Sequence, residues 1–173
     1  MAPASNHAEL LDRLGEVAVR VGLNIAHGQQ LLITAPLDAV PLVRRITEHA
    51  YRAGASLVST FYSDDETTLA RFRHAPDDTF DTAAKWLHGG MAEAYREGAA
   101  RMAITGGNPT LLSGENHDRV ARASRAASLA GRPAMELITN FAINWNIVAC
   151  ATPAGAQQVF PDLEPEQALA CLW

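Results

Sequence analysis

An α/β layer fold with a mostly parallel sheet of about five strands is what the sequence predicts. Short apolar runs of strand length alternate along it with longer segments whose apolar residues recur at helical spacing. The connections between them are short, as in βαβ units with right-handed crossovers. Hydrophobic residues make up 48% of the chain against 19% charged, which suits a chain that buries a core. A length of 173 residues normally gives one domain, burying about 70% of the unfolded surface.

The elements follow in order. Leu10, Leu11, Leu14, Val17, Ala18 and Val21 form a helical stripe after Asn6, a residue suited to capping, and Gly22 ends it. A turn over 24–28 leads to the continuous apolar run 31–35, the pattern of a strand covered on both faces. Pro36 and Asp38 introduce a second helix with Leu42, Val43, Ile46 and Ala50 on one side, ended by Ala53-Gly54-Ala55. Residues 57–62 read as the next strand. Asp64 caps a helix towards His74, stopped by Pro76. Asp78 or Thr79 opens a longer one holding Phe80, Trp86, Leu87, Met91 and Tyr95, which ends at Gly98. A third strand at 101–105 precedes Gly106-Gly107-Asn108-Pro109. Asn116 or Asp118 begins a helix through Ala130, stopped by Gly131, Arg132 and Pro133. Strands are expected at 135–139 and 146–151, then a short helix from Pro153 to near Phe160.

The closing stretch opens a helix without ending it. Pro165 fits the first turn, Glu164 and Glu166 suit the positive end of the dipole, and Leu169, Leu172 and Trp173 start an apolar stripe. No Gly, Asn or basic last turn follows, so the expectation is a fragment that stops inside a helix.

Charge and cysteine usage exclude several classes. A net charge of −5 argues against nucleic acid as a partner, since phosphate binding needs a concentrated basic footprint. No long apolar run suggests a membrane span, and residues 1–7 do not read as a secretory signal. Cys150 and Cys171 form no CxxC pair, which points to a reducing, cytoplasmic compartment.

Loops at the carboxyl ends of strands are where an α/β sheet places its ligand cleft. In Ser63-Asp64-Asp65-Glu66, three carboxylates could hold a divalent cation through hard oxygen ligands, while helix capping explains them with no further partner. Gly106, Gly107 and Asn108 could bring backbone N–H groups to an anion, or form an ordinary turn; there is no GxGxxG and no Lys-Ser/Thr pair. Asn140, Asn144 and Trp145 could line a pocket or satisfy backbone groups in a tight connection. The cleft-facing candidates are therefore Asp64, Asp65, Gly106, Gly107, Asn108, Asn144 and Trp145. Arg119, Arg122 and Arg125 share a helix face that reads as solvated or as a subunit contact. The six histidines are scattered without HExxH or HxxxH spacing, and Ser113 lacks the GxSxG elbow. No catalytic or metal-ligating residue is assigned within the chain.

Several stretches in succession resemble the amino-terminal half of the M29 aminopeptidases, the thermophilic metalloaminopeptidases. They are Val21-Gly22-Leu23-Asn24, Gly28-Gln29-Gln30-Leu31, Tyr51-Arg52-Ala53-Gly54-Ala55, Tyr62-Ser63-Asp64-Asp65-Glu66 and His74-Ala75-Pro76. Arg119 to Arg125, Asn144-Trp145 leading to Ala151-Thr152-Pro153, and Val159-Phe160-Pro161-Asp162-Leu163 continue the series. One departure is the tract 138–144, where the family more often carries an acidic residue before Asn-Trp.

The resemblance implies a three-layer, Rossmann-like domain over 1–163, with 164–173 starting a helix towards an absent carboxy-terminal catalytic domain. It implies a cytoplasmic exopeptidase whose pair of divalent metal ions (zinc, cobalt or similar) and general base all lie in that other domain. The amino-terminal domain would cover the active-site cavity and support a homodimer, with peptides as substrates. The competing expectation is a stand-alone Rossmann-like module that binds a small anion at Gly106-Gly107 or serves assembly.

Overall fold

The computed structural model describes residues 4–173, with side chains from His7 onward. Helix α1 (Ala4–Val17) runs on into a widened π-type stretch, Ala18–Leu23, before β1 (Gln30–Pro36). After a 3-10 turn at Leu37–Ala39 come α2 (Val40–Arg52), β2 (Leu57–Ser63) and α3 (Asp65–His74). A second 3-10 turn, Asp77–Asp81, leads to α4 (Lys85–Arg96) and β3 (Ala100–Thr105). Helix α5 (His117–Thr139), β4 (Trp145–Ala149), α6 (Pro153–Val159) and α7 (Pro165–Leu172) complete the order.

The sheet is wholly parallel in the order β2-β1-β3-β4. Alternation along the strands divides the core between its two faces. Leu31, Ile33, Met102, Ile104 and Val148 pack with α1 and α2 on one face. Leu32 packs with Tyr95, Ala134 and Ile138 of α4 and α5 on the other. The α/β expectation holds, and β1 is buried on both faces as its continuous apolar run requires. Among the described residues no helix is long and apolar enough to cross a membrane.

Among the described residues the sheet has four strands, not about five. Residues 135–139, expected as a strand, are the last turns of α5. Ala134 and Ile138, four apart, are buried while Met135 between them is 50% exposed, which is the helical period and not the strand one. Pro133 sits inside this helix without ending it. The long helix expected from 78 or 79 to 98 is divided: the 3-10 turn holds Phe80, and α4 starts only at Lys85.

The helical stripe does not end at Gly22, because the chain stays helical to Leu23 and Asn24 takes the left-handed conformation (φ 50) that closes it. Asn146 Nδ2 donates to Ala18 O at 3.2 Å, fastening the widened turn to β4. Helix α1 already begins at Ala4, and the side chain of Asn6, the expected cap, lies outside the described residues. The caps expected at Asp64 and Asn116 are present.

Candidate functional site

In the order β2-β1-β3-β4 the chain winds one way from β1 to β2 and the other way to β3. The reversal point lies between the carboxyl ends of β1 and β3, where open α/β sheets bind their ligands. Beside it, over the carboxyl ends of β1 and β2, opens a groove of about 220 Å³ lined by Leu37, Asp38, Asp64, Asp65 and Glu66, with Gly107 reaching it from the loop after β3. It is strongly acidic.

Asp64 has a committed role within it. One carboxylate oxygen accepts from Thr67 N at 3.0 Å and from the Thr67 hydroxyl at 2.6 Å, which caps α3. The Thr67 hydroxyl, then its backbone N–H, hold the Asp64 carboxyl below the usual range. Among the described residues no three His, Cys, Asp or Glu side chains come together in a way that could hold a metal ion.

Gly106 has φ 141 and faces the Cys150 carbonyl so closely that a Cβ would collide with it. The Thr152 hydroxyl donates to Gly106 O and accepts from Gly155 N at 3.1 Å, so one buried threonine both caps α6 and ties down the loop after β3. The close approach permitted by this glycine is thus made by the β4–α6 connection. Gly107 has open space around it on the groove. Asn108 Oδ1 accepts from Thr110 N at 3.0 Å and its hydroxyl at 2.9 Å, a local turn.

Asn144 and Trp145 lie at the other end of the sheet, where β4 begins. Asn144 Nδ2 donates to Leu23 O at 3.0 Å, and its side-chain amide pairs with that of Gln29 (2.7 and 3.2 Å). Gln29 Nε2 also donates to Gly98 O at 2.7 Å. This amide cluster joins three turns below the strands. Trp145 packs with the second core and stacks on Phe141 at 6.4 Å. The predicted residues thus divide: Asp64, Asp65, Gly106, Gly107 and Asn108 follow the carboxyl ends of strands, while Asn144 and Trp145 sit at the amino end.

Two features escaped the sequence reading. Arg122 forms ion pairs with Asp77 (2.9 Å) and Asp81 (2.6 Å), and Arg119 reaches Asp77 at 2.9 Å. Both aspartates are held below the usual carboxylate range, chiefly by hydrogen bonds from Arg122, whose own pKa is raised in return. The arginine spacing on α5 was legible; its partners, in a turn some forty positions earlier, were not. The second feature is a pocket of about 230 Å³ lined by His7, Asp38, Cys150 and Trp173 among others. Burial, then the charge of Asp38, push the Cys150 thiol up to about 11, so at neutral pH it is protonated and a poor nucleophile.

A family model for the thermophilic metalloprotease (M29) family matches residues 7–173. Aminopeptidase T of Thermus thermophilus is 47% identical over 163 residues, which are 94% of this chain and 40% of that protein. Aminopeptidase 2 of Geobacillus stearothermophilus is 39% identical over 163 residues, again 94% of this chain and 40% of that one. The solved structure of wild-type AmpT from Thermus thermophilus superposes with a TM-score of 0.93 at 46% identity, covering 98% of this chain and 42% of that chain. The chain spans about 40% of the length of the curated relatives it matches. With the family pattern running from His7 to Trp173 and the same arrangement of strands and helices recurring in a solved relative, the chain belongs to the thermophilic metalloprotease (M29) family.

Proposed function

We propose that this chain is the non-catalytic amino-terminal domain of a cytoplasmic, metal-dependent aminopeptidase that removes amino-terminal residues from peptides. In this reading it covers the active-site cavity and supports a homodimer. One observation carries it: nearly the whole chain matches about 40% of the length of proteins named aminopeptidases. The divalent ions, zinc, cobalt or similar, then belong to the remaining part of the complete enzyme. The groove between Asp38 and Glu66 is the face that suits a cavity cover, because it lies at the carboxyl ends of the strands.

The stand-alone anion-binding module has less behind it. Gly107 opens onto a groove lined by carboxylates, whose charge repels an anion, and Gly106 is filled against Cys150. Release of nitroaniline from an aminoacyl-nitroanilide, with cobalt or zinc added, tests the reading. The complete protein turns the substrate over and the 173-residue chain does not; turnover by the purified chain sinks the proposal.

A further inference from the structure

Between β2 and α4, residues 64–81 pack as a unit of their own. Phe72 alone among the residues of α3 is buried, and its ring lies 5.2 Å from that of Phe80 in the 3-10 turn. Neither ring belongs to the two clusters that fill the faces of the sheet. Arg71 crosses from the helix to the turn. Its Nη2 donates to Thr79 O at 3.2 Å and to Thr82 O at 3.1 Å, and its guanidinium lies over the Phe80 ring at 5.4 Å. Helix and turn are thereby fastened to each other.

The ties from this unit to the rest of the domain are largely ionic. Arg122 holds Asp77 and Asp81, Arg119 holds Asp77, and Arg73 reaches Glu115 at 3.5 Å. The side chains of Asp77 and Asp81 are 61% and 64% exposed, where salt screens their ion pairs. Both ends of the unit are extended. Asp64 has φ −124 and ψ 129, and residues 82–84 lead to α4 without helix or strand. Such links absorb the dihedral change of a hinge. Asp64, Asp65 and Glu66, where the unit begins, form one wall of the groove over β1 and β2.

We propose that residues 64–81 are a flap, latched to α5 by ion pairs, that lifts as one body and opens the groove at the carboxyl ends of β1 and β2. A segment with a small apolar island and screened anchors sits at the low end of local stability, so it opens before the two cores do. Lifting carries Asp65 and Glu66 away from Asp38 and widens the groove. Only what enters the groove rests on the reading above. The motion is measured without substrate, so the two fail separately.

Hydrogen exchange on the 173-residue chain is the first test. Amides of α3 and of the turn share one level of protection, at least about tenfold below that of α4. Raising NaCl from about 0.05 to about 0.5 M lowers it by about threefold or more. Arg122→Met lowers it about tenfold, with α4 amides and circular dichroism unchanged. Arg71→Met cuts the internal tie, so helix and turn then exchange separately. Spin labels on Asp78→Cys and Ser124→Cys, both at exposed positions, with Cys171→Ser, report a second, longer distance whose population grows with salt. In the complete protein the flap keeps its faster exchange. Protection equal to that of α4, in either form of the protein, overturns the proposal. So does exchange indifferent to salt and to Arg122→Met, or a single label distance under all conditions.

Discussion

At Gly106 the backbone takes φ 141, and any side-chain carbon there points at the Cys150 carbonyl. Gly106→Ala must strain the loop or displace the start of α6, at a cost of about 2–4 kcal/mol in urea unfolding. Gly107→Ala, with open space around it, changes stability by less than about 0.5 kcal/mol. Equal effects from the two would refute the geometric account. Asn144→Ala removes a donor to Leu23 O and the pair with Gln29, so it destabilises by about 1–3 kcal/mol by the same measurement. The sequence marked these positions as unusual without saying what they meet. Glycines after a strand look alike whether ligand or chain fills the space, and the partners of Asn144 lie more than a hundred positions away. The thiols separate on the same logic of burial: Cys171 is exposed and Cys150 buried. A thiol reagent at pH 8 should titrate one sulfhydryl per native chain and two after denaturation.

The joint between α5 and the 3-10 turn at Asp77–Asp81 shows what an element needs beyond propensity. Arg119 and Arg71 lie over the Phe80 ring, which is itself buried against Phe72, while Arg119 and Arg122 hold the turn's carboxylates. Asp77 and Asp81 have folded pKa values below their unfolded ones, so their stabilising contribution is complete above the ordinary value of 3.8 and disappears as pH falls through the depressed values. Carboxyl titrations followed by NMR should move upward for both residues in Arg122→Met; unmoved titrations would show that Arg122 is not the cause. These anchors explain the division of the expected long helix. The turn is pinned by its charges and by Phe80, and the chain must leave it before α4 can start. The strand expected at 135–139 failed for a different reason. A five-residue run with three apolar members fits either period, and only the contact with α4 selects the helical one.

For the molecule as a whole, the layer order was legible because each strand but the last candidate carries a run too apolar for an outer helix. The short connections also limited the topologies available. Strand order was not legible, since nothing local states that β3 returns to the far side of β1. Nor could the acidic groove be assembled from sequence, because Asp38 and Glu66 meet only when β1 and β2 align. That same order has a consequence during synthesis. The first βαβ unit, β1-α2-β2, is complete by Ser63, long before β3 emerges from the ribosome. Until then the flank of Leu31 and Ile33 that awaits Ala100 and Met102 stands open. The Gln29–Asn144 clasp, 115 positions in span, shuts only when the chain reaches β4. A nascent chain halted near residue 99 should therefore recruit chaperones and resist proteases poorly. One released after β4 should do neither.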